Sequence, residues 1–135
     1  MVVVDSGVWI DLLAGQENSA SDALARLLHH GETELVLPDL VLFEVMRGFR
    51  LESDLRTARS LFAALPVAST GGEEVALRAA EHYRHLRRLG ITVRSAIDSL
   101  IASFCIERGH ALLHRDRDFD AYATHFGLQV WPHLS

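Results

Sequence analysis

Lysine is absent: all 13 cationic side chains are arginine, set against 18 aspartates and glutamates for a formal net charge of −5. That balance argues against a protein that coats nucleic acid by bulk electrostatics, and leaves room for one that brings a phosphate to a metal ion. Cysteine is nearly absent as well. Cys105 stands alone among Ile101, Ala102 and Phe104 on an apolar helical run, so no disulfide forms within the chain and the thiol is expected to be buried and inert. No stretch approaches the roughly 18–20 apolar residues of a membrane span, and "MVVVDSGVW" has neither the charged start nor the long apolar run of an export signal. A cytoplasmic protein without membrane contact is therefore expected. Low-complexity segments, repeats and long linkers are missing too. What is present, 49% hydrophobic residues in a chain of 135, is enough for one core, so residues 1–135 are expected to form a single domain.

Short β-rich runs alternate with longer helical patterns. "VVVD" (2–5) is a continuous apolar run ending in a polar pair, as expected of a central parallel strand buried on both faces. "ELVLP" (34–38), "LPVAST" (65–70), "HALLHRD" (110–116) and "LQVW" (128–131) read as four further strands, with helical patterns between them. Parallel strands need helical crossovers, so the alternation predicts an α/β fold, a three-layer α/β/α sandwich with a mostly parallel five-stranded sheet. Ligands of such open sheets sit outside the carboxyl ends of the strands, where strand order reverses.

Four acids map to that end. Asp5 closes the first strand and Asp116 follows the fourth. Asp98 interrupts the apolar start of "VRSAIDSLIASF" (94–105), and Glu44 is the one charge in "LVLFEVM". Each has a structural alternative. Ser95 and Asp98 match a capping box, Asp5 and Asp116 stand where helix caps stand, and Glu44 has Arg47 three residues on. Those alternatives do not explain why all four acids collect at one end of one sheet.

The stretches "VVVDSGVWIDLL", "PDLVLFEVMRG", "GITVRSAIDSLIAS" and "LLHRDRDFD" resemble, in order and over nearly the whole chain, the four acidic motifs of PIN-domain ribonucleases, and most closely the VapC-type toxins of bacterial toxin–antitoxin modules. The resemblance implies a Mg2+- or Mn2+-dependent endoribonuclease with Asp5, Glu44, Asp98 and Asp116 as its acidic site and Asp118 as a further acid. It also implies an RNA substrate, a VapB-like antitoxin whose tail obstructs the site, and a homodimer. Ser6 stands where similar proteins often carry threonine, which keeps a hydroxyl beside the substrate. Mg2+ is a hard cation that prefers oxygen ligands and is usually held by one or two carboxylates plus substrate phosphate. Four acids exceed one such set, so Asp5 and Asp98 are read as direct ligands, with Asp116 and Asp118 at a first or second ion. Glu44 is read as orienting the attacking water or acting as general base.

Arg94 and Arg115 flank the acids and suit bidentate contact with an RNA phosphate, or else pair with the acids themselves. Arg84, Arg87 and Arg88 read as a solvated helix face. His82 and His85, three apart on a charged helix with no cysteine nearby, are not read as a zinc site. A phospho-receiver domain is excluded by the missing lysine and by "VASTGG" after the third strand. A phosphatase of the haloacid dehalogenase type is excluded by Gly7, where it needs an acid. The remaining alternative is a PIN domain used in RNA processing or as a non-catalytic binding module.

Overall fold

The computed structural model describes residues 1–31 and 33–133. In chain order the elements are β1 (Val2–Val4), α1 (Ser6–Leu13), α2 (Ser19–His30), β2 (Leu35–Pro38), α3 (Asp39–Met46), α4 (Glu52–Phe62), β3 (Val67–Ala68), α5 (Gly72–Arg88), α6 (Ala96–Arg108), β4 (Ala111–Leu113) and α7 (Asp120–Phe126). A single 3-10 turn, Arg117–Phe119, lies between β4 and α7.

The strands form a parallel sheet in the order β3-β2-β1-β4, flanked by helices. β1 is central, as its unbroken valines require: Val2, Val3 and Val4 are all buried. The chain steps outward from β1 to β2 and β3, then returns to place β4 on the other side of β1. Strand order therefore reverses between β1 and β4, with Val4 paired to Leu113 at the carboxyl end of that crevice.

Among the described residues the sheet has four strands, not the five that the sequence suggests. The segment at Leu128–Trp131 makes one parallel bridge, Val130 opposite Leu112, with bonds from Leu112 N to Gln129 O (2.8 Å) and from Trp131 N to Leu112 O (2.9 Å). The next rung would use the carbonyl of His114, and that oxygen instead accepts from the ring Nε2 of His133 at 2.8 Å. The ladder stops after one step. β3 is likewise reduced to two residues at the sheet edge, with Val67 exposed.

α6 is the helix that the site depends on most. It is buried on nearly every side through Ile101, Ala102, Phe104 and Cys105, and its two buried serines are satisfied. Ser103 Oγ pairs with His82 Nδ1 (2.9 Å) on α5, and Ser99 Oγ with the hydroxyl of Tyr122 (2.5 Å) on α7. Burial pushes the Cys105 thiol up to about 12, so it stays protonated and inert. Gly109 ends α6 in the left-handed conformation (φ 71°), and two residues later the chain enters β4. At the start of α5, Gly71 also has positive φ (85°), and a Cβ there would lie 1.9 Å from Val75 Cγ2, so only glycine fits. Trp9 is buried edge-on to Phe62 (5.0 Å, 81°) and is a packing residue.

Candidate active site

Asp5 follows directly from β1. Its backbone N–H donates to Leu113 O of β4 (2.9 Å), and its carbonyl accepts the α1 amides of Val8 (3.1 Å) and Trp9 (3.3 Å). The backbone thus opens α1 while the side chain makes no cap bond. That carboxylate is 6% exposed, and its Oδ1 is buried without a hydrogen-bond partner among the described residues. Since buried polar atoms are rarely left unpaired, the orphan oxygen marks a place shaped for something else.

Glu44 reaches the same crevice from α3. The Ser6 hydroxyl donates to its Oε1 at 3.0 Å, and Arg47 lies 3.9 Å from Oε2. Asp98 enters from the first turn of α6. Ser95 supplies its half of the capping box, accepting from the Asp98 N–H at 3.4 Å. The Asp98 carboxylate lies with the other acids instead. One oxygen from each of Asp5, Glu44 and Asp98 lies within 4.8 Å of the others, and the same holds for Asp98, Asp116 and Asp118. Asp98 is the shared vertex of two acidic triads.

Asp116 has two structural duties besides. Its Oδ1 accepts the Asp118 N–H (2.9 Å), capping the 3-10 turn, and its own N–H donates to His114 Nδ1 (3.2 Å). His114 is buried, so it fixes the backbone from which Asp116 projects. Asp120, by contrast, opens α7 as an ordinary first-turn acid.

The crowding is visible in the proton affinities. Burial and then the charge of Glu44 raise Asp5 to about 6, with Asp116 adding to the effect and the amides of Ser6 and Gly7 opposing it. Asp98 is raised to about 7, first by burial and then by Asp5, Glu44, Asp116 and Asp118. A protein that gathers carboxylates until two of them resist ionisation has stored repulsion that a cation relieves.

The arginines divide. Arg94 is exposed and bridges the outer triad, with Nε 2.9 Å from Asp118 Oδ2 and an η-nitrogen 3.6 Å from Asp116 Oδ1. Arg115 is turned back on the protein. Its Nε lies 2.5 Å from Asp11 Oδ2, and its guanidinium lies beside Gly7, where a Cβ would be 3.6 Å away. No local pattern points to Asp11, which lies 104 residues from Arg115, or to the support that His114 lends Asp116.

Known proteins share this fold. The family model described as PIN domain matches residues 2–124. The chain belongs to the PIN-domain family. A VapC ribonuclease of Mycobacterium bovis is 30% identical to this PIN-domain protein over 130 residues, covering 96% of this chain and 97% of the relative. The crystal structure of VapBC2 from Rickettsia felis bound to a promoter DNA fragment superposes with a TM-score of 0.79 at 16% identity, covering 98% of this chain and 99% of that one. A toxin–antitoxin complex from Klebsiella pneumoniae gives 0.70 at 14%, with 95% of each chain covered. At those identities the two structures establish the fold.

PIN nucleases use divalent metal ions, and the residues here fit one. Every candidate ligand is a carboxylate oxygen, the hard donor that such ions prefer, and one of these acids, Asp5, has a buried oxygen without a partner among the described residues. Among the described residues no helix is long and apolar enough to cross a membrane.

Proposed function

We propose that this PIN-domain protein is a Mg2+- or Mn2+-dependent endoribonuclease and the toxin of a toxin–antitoxin pair, held in check by a VapB-like antitoxin. The observation that carries the reading is the double triad with Asp98 at its shared vertex, an all-oxygen site at the switch point of the sheet. The full-length match to a VapC ribonuclease supports the RNA substrate, and the structural neighbours solved as toxin–antitoxin complexes support the partner. A homodimer is part of the same proposal.

Asp5 and Asp98 would hold an ion at the inner triad, with Asp116 and Asp118 beside Asp98 at a first or second ion. Bound there, a divalent ion neutralises charge on the scissile phosphate and makes an attacking water a better nucleophile. Glu44 orients that water: the Ser6 hydroxyl fixes its Oε1, and Oε2, with Arg47 3.9 Å away, accepts the proton. The water oxygen bonds to phosphorus, the bond to the 3′ oxygen breaks, and that oxygen leaves protonated from solvent. The products carry 5′-phosphate and 3′-hydroxyl ends. Arg94, exposed at the rim, and Arg115, beside Gly7 and Asp5, contact the phosphate backbone, while Ser6 serves the substrate through Glu44.

Sequencing of RNA ends after induced expression, with Asp98→Asn as control, tests this reading. New discrete ends with wild type only are expected; identical end profiles for the two proteins would contradict it.

A further inference from the structure

Residues 82–97 contain four arginines, two histidines and no acid, in a chain of net charge −5. The structure lays two of those arginines and both histidines along one groove. Arg84, Arg88, His85 and Phe126 line a cleft of about 450 Å3 between the second half of α5 and the end of α7. At its other end Glu81 pairs with Arg78 (3.1 Å), which is shared with Glu107 (3.1 Å), so the positive charge lies at the Arg84–Arg88 end. Arg84, Arg87 and Arg88 have no ion-pair partner among the described residues. Arg84 and Arg88 are four apart on one helix face, where like charges repel. A favourable macrodipole at the helix C-terminus accounts for some of this charge, but not for its alignment along a cleft with an aromatic floor.

The groove is also aimed at the acids. α5 and α6 run antiparallel, with Arg78 opposite Glu107 and His82 opposite Ser103. Continuing that register brings Arg88 level with the first turn of α6, which carries Asp98. From there the acid-free stretch leads to Arg94, which touches Asp116 and Asp118. On the other wall, the seven residues of α7, roughly 10 Å of helix, separate the 3-10 turn of Asp118 from Phe126. Phe126 stacks on the buried His82 (4.1 Å between centroids, 29°), which holds its ring in place.

We propose that the groove of Arg84, Arg88, His85 and Phe126 is a binding track for single-stranded RNA, seating backbone phosphates away from the one that is cut. This rests on the ribonuclease reading above. A basic groove with an aromatic floor is how sequence-tolerant single-strand binding is built: arginines track the phosphates and the ring receives a base. The track extends the substrate contact beyond the acids and explains how an acidic protein holds a polyanion.

The test uses the paired variant Arg84→Gln/Arg88→Gln, both exposed positions, and a labelled single-stranded oligoribonucleotide of mixed sequence. Binding is measured in the Asp98→Asn background against salt, and cleavage in the otherwise wild-type protein. Each lost phosphate contact on a single strand removes about 0.7 from the slope of log K against log salt, so the pair lowers it by about 1.4 and weakens binding roughly 25-fold at 0.1 M salt. KM for cleavage rises while kcat stays. An unchanged slope and KM, in a protein that still binds and cuts RNA, overturns the track alone. A parent protein that neither binds nor cuts RNA overturns the ribonuclease reading as well. An altered sedimentation coefficient with an unchanged slope makes this face a protein interface and also overturns the track.

Discussion

The Ser6 hydroxyl donates to Glu44 Oε1 at 3.0 Å, tying the first turn of α1 to α3 across 38 residues of sequence. A hydrogen bond to a charged group in a half-buried setting contributes about 1–2 kcal/mol. Ser6→Ala should lower stability by about that much in urea titrations and reduce kcat more than it raises KM, because Glu44 loses its orientation. Ser6→Thr keeps the hydroxyl and should restore both. Equal loss in the alanine and threonine variants would detach Ser6 from Glu44.

The raised proton affinities of Asp5 and Asp98 fix a sign for pH dependence. A carboxyl whose folded value is lifted to about 6 or about 7 binds more protons folded than unfolded between roughly pH 4 and 7. Its contribution to stability is complete below pH 4 and is lost as pH rises through the folded value. In EDTA, Asp98→Asn should therefore match wild type near pH 4.5 and become progressively more stable than it by pH 8. Mg2+ should raise the Tm of wild type and do less for the variant. Because ligands must be deprotonated, the Mg2+ concentration needed for cutting should rise as pH falls below 7. A Tm difference that does not change with pH would show that Asp98 feels no crowding.

Asp116 separates capping from charge. Asparagine caps nearly as well as aspartate, and the contact to the exposed Arg94 is worth little, so loss of that contact and relief of repulsion nearly cancel. Asp116→Asn should thus stay within about 0.5 kcal/mol of wild type in EDTA while losing most of the Mg2+-induced gain. Asp116→Ala removes the cap and should cost about 1 kcal/mol more. Full Mg2+ stabilisation of the asparagine variant would confine Asp116 to capping.

The two arginines beside the site should respond differently. Arg94 is exposed, so Arg94→Gln should raise KM for RNA with stability almost unchanged. Arg115 pairs with the half-buried Asp11, which keeps the Asn18 amide (3.0 Å) when the arginine is removed, so Arg115→Gln should raise KM and cost no more than about 1 kcal/mol. A change in stability without a change in KM would leave Arg115 a structural residue.

The fold and the acids were legible because their signals are local. The valines of β1 are continuous because both faces are buried, and Asp5, Asp98 and Asp116 each stand where an element begins or ends. Glu44 was legible as a charge in an otherwise apolar run. The pair of Arg115 with Asp11 depends on residues 104 apart that share no pattern, and no local rule reaches it. The fifth strand was misread for a related reason. "LQVW" has the composition of a strand, but its ladder is cut by the side chain of His133, which takes the carbonyl that the next rung needs. Likewise the arginines of α5 read as a solvated face until α7, forty residues on, supplied the second wall of a groove.

The most direct test of the account is the chemistry of the RNA ends left by the purified protein. With Mg2+ the wild type should cut a single-stranded RNA to 5′-phosphate and 3′-hydroxyl ends, and should still cut when the scissile 2′-oxygen is removed, because water attacks from outside the ribose. EDTA or Asp98→Asn should abolish cutting. A 2′,3′-cyclic phosphate product, or cutting that persists in EDTA, would contradict the carboxylate site as the seat of catalysis.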